Sequence, residues 1–134
     1  MLTEIQISTS FLKEMVMNNN NLTVAEAYYT AMSEKNVMGM GKHLHPDIHF
    51  LGPLAEIKGK EEFLEAAKGF TSFFKTLTIR AKFGSEDQAM LVYDLDFPAP
   101  IGKLPTAALL TFQEGLISKI ELFCDGRPFE REKA

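Results

Sequence analysis

The sequence has no tryptophan, one cysteine, no run of basic residues and no continuous apolar stretch of bilayer length. Each absence narrows the function. One cysteine cannot form an internal disulfide, and a thiolate metal cluster needs several. A spanning helix needs ~20 consecutive apolar residues, and no segment approaches that. Lys plus Arg number 14 against 18 Asp plus Glu, a net charge of −4, so the basic footprint of a nucleic-acid binder is missing. In the opening segment MLTEIQISTSFLKEMVMNNNN, residues Glu4, Gln6, Lys13 and Glu14 interrupt every apolar run, which argues against a secretory signal. The expectation is a cytoplasmic protein without membrane or nucleic-acid partners, and the lone Cys124 fits a reducing compartment.

What is present is a chain of 134 residues, 46% hydrophobic and 24% charged, the composition of one soluble globular domain. Eleven Phe and seven Met are enough large, soft side chains to fill a generous core or to line a cavity.

The apolar spacing changes period along the chain. Phe11, Leu12, Met15 and Val16 form one helical face, so residues 1–21 read as a helical extension ending in the breaker Asn18 to Asn21. Thr23 with Glu26 matches a capping box, and Leu22 with Ala27 matches a hydrophobic staple. Val24, Ala27, Tyr28, Ala31 and Met32 then give one apolar face, predicting a helix over 24–35. Residues 37–44 suggest a short second helix weakened by Gly39 and Gly41. His45-Pro46-Asp47 reads as a boundary, since the residue before proline is pushed away from helix. Short strands are expected over 48–51 and 54–57, around Gly52-Pro53. Phe63, Ala67, Phe70 and Phe74 mark a third helix with an acidic first turn (Glu61, Glu62). After residue 75 the period becomes two. Leu77, Ile79, Ala81 and Phe83, then Leu91, Tyr93, Leu95 and Phe97, alternate with polar residues. Two further strands follow over 106–112 and 117–125, joined by short turn-rich breaks. Residues 128–134 read as a frayed tail. Helices followed by antiparallel strands indicate an α+β fold with the helices on one face of a curved sheet, and such a cone offers a small-molecule pocket.

The segments AYYTAMSEKN, HLHPDIHFLGP, IKGKEEF and GLISKIELFCD, in that order over roughly residues 22–127, resemble the nuclear transport factor 2-like superfamily and within it the SnoaL-like polyketide cyclase group. The resemblance implies an α+β cone, usually a homodimer formed through the outer face of the sheet, on which isomerases, dehydratases, cyclases, epoxide hydrolases and non-catalytic binders all occur. Fold alone therefore leaves the chemistry open. Carried over position by position, the ketosteroid isomerase base falls on Gly52, the second acid near Ala108, and the oxyanion-hole tyrosine near Tyr28, which is kept. The epoxide hydrolase pattern would need an arginine beside an aspartate, where this sequence has Asp94-Leu95-Asp96. The polyketide cyclase aspartate falls on Asp125 and the companion histidine near Leu109.

The residues themselves leave two readings of Asp125: a general base in an apolar pocket, its pKa raised by desolvation, or a turn residue before Gly126. His49 is a candidate acid–base partner for it, and Tyr28, Tyr29 and Tyr93 are either hydrogen-bond donors to a carbonyl ligand or core residues with the hydroxyl at the edge. The motif H-x-H-P-D-x-H at 43–49 suits no single helix face, so no metal is assigned, and no cofactor is expected. Asp94 and Asp96 are expected on the outer face, opposite Tyr93 and Leu95. The expected pocket wall comprises Met32, Phe50, Phe63, Tyr93, Leu109 and Phe123. Two functions remain open: a cofactor-free lyase, isomerase or cyclase acting on an apolar carbonyl compound, and a non-catalytic binding or interaction module on the same cone.

Overall fold

A computed structural model describes residues 20–129. The expected helical extension before residue 20 and the last five tail residues lie outside the described residues. Helix α1 covers residues 20–33, followed by α2 (Val37–Gly41), β1 (Leu44–Leu51), β2 (Glu56–Lys58), α3 (Lys60–Phe73), β3 (Thr76–Gly84), β4 (Gln88–Asp96), β5 (Lys103–Gln113) and β6 (Leu116–Phe123). The strands form one curved sheet in the order β2-β1-β6-β5-β4-β3. Neighbours pair antiparallel except β1 and β6, which run parallel. The α+β cone is therefore present, with one parallel pair that the hairpin pattern did not anticipate. That pair arises because the segment carrying α3 and the β3–β5 meander separates β1 from β6, and a parallel pairing requires such a long connection.

The helices bury one stripe. Ala25, Tyr28, Tyr29 and Met32 on α1 are all buried at the i, i+3, i+4, i+7 spacing of an amphipathic helix. They meet the inward row of β4 (Leu91, Tyr93, Leu95), Ala108 and Leu110 of β5, and Ile120 of β6. Helix α3 packs on β1 and β2 with Phe63 and Ala67 inward. Gly59, at φ 96°, turns β2 into this helix, a left-handed geometry that disfavours side chains.

Several boundaries differ from expectation. Helix α1 is already formed at Asn20, so Thr23 lies in its interior rather than at its cap. Tertiary contact explains the extension: the Asn21 side chain is buried and its Nδ2 donates to the Glu86 carbonyl, 3.0 Å away in the β3–β4 turn. Strand β1 begins at Leu44 and runs through Pro46. Its register against β6 shifts between Leu44 and His49, and such an irregularity tolerates the missing N–H. In β3 the alternation breaks at a register shift between Ile79 and Ala81. The shift puts the exposed Lys82 on the helix-facing side, in a surface ion pair with Glu26 of α1, and leaves Phe83 63% exposed. Asp94 lies on the outer face, where Arg80 Nη1 reaches it at 3.3 Å.

Asn21→Ala removes the bond that ties the buried Asn21 side chain of α1 to the Glu86 carbonyl in the β3–β4 turn. It should lower unfolding stability by about 1–2 kcal/mol, measured by denaturant titration. An unchanged midpoint would mean that the extra turn of α1 carries no stability.

Candidate functional site

A cavity of about 180 Å³ lies between α1, α3 and the helix-covered face of the sheet. Its wall combines Tyr28, Tyr29 and Met32 from α1, Met40 from α2, Phe50 from β1 and Ile57 from β2. Phe63, Ala66, Ala67 and Phe70 of α3 close one side, and Tyr93, Ile120 and Leu122 form the floor. Among the described residues no charged side chain belongs to this wall. Its side-chain donors are the three tyrosine hydroxyls.

Strand and helix periodicity put the tyrosines together. Tyr28 and Tyr29 are consecutive on α1 and both face the sheet, with ring centroids 4.8 Å apart and planes nearly perpendicular at 86°. Tyr29 also packs on Tyr93, at 4.7 Å. Each ring is at most 2% exposed. Burial, the largest cause, raises all three phenol pKa values above the ordinary 10.0. A hydrogen bond with Tyr93 offsets part of this at Tyr29 and adds to the shift at Tyr93. The phenols are therefore neutral donors and not bases at physiological pH. Among the described residues the Tyr28 hydroxyl has no protein hydrogen-bond partner, and an unpaired buried donor costs ~1–3 kcal/mol.

Of the expected site residues, Tyr28, Met32, Phe50, Phe63 and Tyr93 meet at this cavity. Four do not. Leu109 sits between inward-facing Ala108 and Leu110, so strand parity turns it to the outer face, opposite Met90 and Glu121. Phe123 is 53% exposed because Ile120 and Leu122 take the inward positions of β6. Both are corrections to the expected wall. Asp125 lies in the turn after the end of β6. Its carboxylate accepts from the Arg127 backbone N at 3.0 Å, from Nε at 2.9 and 3.1 Å and from Nη2 at 2.7 Å. This is an aspartate turn with a bidentate arginine on a half-exposed side chain. His49 flanks inward Ile48 and Phe50 and points away from the cavity, where its Nε2 lies 2.8 Å from Glu56 Oε1. That bond, more than the neighbouring charges, holds the exposed Glu56 carboxyl below its usual range. The structure thus brings neither Asp125 nor His49 to Tyr28. No group of three or more His, Cys, Asp or Glu among the described residues is arranged to hold a metal ion.

Tyr29, a candidate donor from the sequence, also lines the cavity, whereas sequence reasoning missed Phe70 and Leu122 as wall residues. The signal for Leu122 was present: Lys119, Glu121 and Asp125 occupy one parity at the end of the chain, which assigns the even positions to the interior.

A sequence profile of the SnoaL-like domain matches residues 25–120. The chain belongs to the SnoaL-like family. No curated protein matches it in sequence. Among solved structures, a Kribbella flavida protein is 26% identical with a TM-score of 0.78, over 84% of this chain and 92% of that one. An NTF2-like protein of unknown function from Cytophaga hutchinsonii is 20% identical at TM-score 0.72, over 80% and 91% of the two chains. A steroid delta-isomerase from Pseudomonas aeruginosa is 16% identical at TM-score 0.69, over 85% and 91%. The SnoaL-like chain thus shares the cone of this superfamily.

The tyrosine burial has a pH consequence. In the unfolded chain the phenols ionise near 10, whereas the native ones resist ionisation. The native state then binds more protons, so stability holds below about pH 9 and falls as pH rises past 10. Tyr93→Phe should flatten that fall in denaturant titrations run from neutral to alkaline pH. An equally steep fall in the variant would remove the cluster as its cause.

Proposed function

We propose that this SnoaL-like protein binds a small, neutral, apolar molecule bearing a carbonyl oxygen, with the Tyr28 hydroxyl donating to that oxygen. The observation that carries the reading is a buried phenol, without a protein partner among the described residues, on the wall of an otherwise apolar cavity. Such a group gains a full hydrogen bond from a ligand without having to give one up. Apolar walls with a few placed donors are the usual form of a small-molecule site. The volume fits: an apolar cavity of ~150 Å³ accepts a benzene-sized guest. The tyrosine is also the position at which the resembling isomerases carry their oxyanion donor. Binding is favoured over proton-transfer catalysis because no carboxylate or imidazole among the described residues lines the cavity.

Tyr28→Phe preserves the ring and removes the donor. It should weaken binding of a small ketone by roughly threefold to tenfold and leave the matching alkane unaffected, by calorimetry. Ketone affinity should be flat from about pH 6 to 9, because the phenols stay protonated. Equal losses for ketone and alkane would reject the hydrogen bond, and no binding of any ketone would reject the reading.

The same proposal includes a homodimer through the outer face of the sheet. Support comes from the apolar row Phe83, Met90 and Leu109, paired across β3, β4 and β5, beside exposed Phe123. Phe123→Lys should shift the protein toward monomer in sedimentation velocity. An unchanged distribution would move the contact elsewhere.

A further inference from the structure

A second cavity, of about 250 Å³, lies toward the end of the cone. Its wall includes the β1–β2 turn (Gly52, Pro53, Leu54, Ala55), Leu95 and Leu104 at the ends of β4 and β5, and Cys124 and Phe129 after β6. Three side chains, Phe50, Phe70 and Leu122, line both this cavity and the tyrosine cavity. The two spaces are thus separated by single side chains and not by backbone. Phe50 is steadied by Phe63, at 5.4 Å, and Phe70 by Phe74 and Phe97, at 5.4 and 6.0 Å. Among the described residues the second wall also contains no charged side chain. Its side-chain polar groups are the Thr106 hydroxyl, which donates to the Leu104 carbonyl at 3.3 Å, and the Cys124 thiol. Leu54 and Phe73, two of the few large apolar side chains left exposed, stand on its rim at 45% and 40% exposure. Exposed apolar residues clustered round a concavity mark a binding surface.

We propose that the two cavities take one elongated neutral molecule. It enters past Leu54 and Phe73, places its carbonyl at Tyr28 and leaves its apolar tail in the second cavity beside Cys124. This rests on the carbonyl-binding reading and adds the length of the ligand. The tyrosine cavity alone matches about one six-membered ring, so a molecule held there by a polar end has the larger volume free for its tail. With no cation on either wall among the described residues, a tail ending in a carboxylate is disfavoured. The ligand class is a medium-to-long-chain ketone or aldehyde, not a fatty acid.

Cys124 is the only cysteine of the chain, so a thiol reagent reads the second cavity alone. The test uses 2-alkanones from 2-hexanone to 2-tridecanone on the wild-type protein. Affinity is measured by calorimetry, and the rate of Cys124 modification by a small maleimide is followed at saturating ketone and fixed pH. Each methylene that enters the second cavity should tighten binding by about fourfold, until the cavity is full. The longest ketones should slow thiol modification at least fivefold, while saturating 2-hexanone leaves it within twofold. Ala55→Trp, at an exposed position on the wall of the second cavity alone, should abolish the gain with length and keep 2-hexanone affinity. Short ketones that bind without any further gain with length, or a tightly bound long ketone that leaves Cys124 fully reactive, would overturn the extended site and leave the carbonyl reading standing. Failure of every ketone to bind would overturn both.

Discussion

Tyr28 packs edge-on against Tyr29 of α1, and Tyr29 packs in turn on Tyr93 of β4, so one ring cluster joins the first helix to an inner strand of the sheet. Three phenols cannot close on each other as aliphatic side chains can. Their preferred edge-on and tilted contacts hold the rings several ångströms apart, and their hydroxyls cost free energy unless partnered. Both effects keep α1 at a fixed distance from the sheet and leave space beside the rings. Phe63 and Phe70 of α3 close that space from the other side. The cavity is thus a consequence of how the core is packed, and its polar character is confined to the groups that create it.

Strand parity determines what else reaches the interior. A one-residue difference moves a side chain from cavity to solvent, and this separates Leu122 from Phe123, Ala108 from Leu109, and Phe50 from His49. The register shift in β3 does the same at Lys82 and Phe83. It supplies a cation to Glu26 on α1 and an aromatic to the outer face. Among the described residues charge is consequently absent from both cavity walls and concentrated on the outer face and the turns, where Asp94 meets Arg80 and Asp125 meets Arg127.

Much of this architecture was legible in the sequence. The order of helices and strands, the buried stripe of α1, the third helix and the outward placement of Asp94 all follow from apolar periodicity, because burial imposes a period of 3.6 or 2 wherever one face is covered. Met32, Phe50, Phe63 and Tyr93 could be assigned to the cavity on the same grounds. The Thr23 cap and the strand start after Pro46 could not be placed correctly. In each case a distant partner outweighs the local preference: the Glu86 carbonyl for Asn21, and β6 for the early part of β1.

Residue types along the chain determined the fold class, the family and the apolar, tyrosine-bearing character of the interior, since these depend on patterns that each segment carries by itself. Only the tertiary structure decided which side chains share a space. It turned Asp125 and His49 away from Tyr28, replaced Phe123 by Leu122, and put the lone Cys124 beside a second cavity. The physical reason is that register shifts and long-range pairing fix the relative faces of strands far apart in sequence. Those faces determine whether a carboxylate, a thiol or a phenol meets the ligand or the solvent.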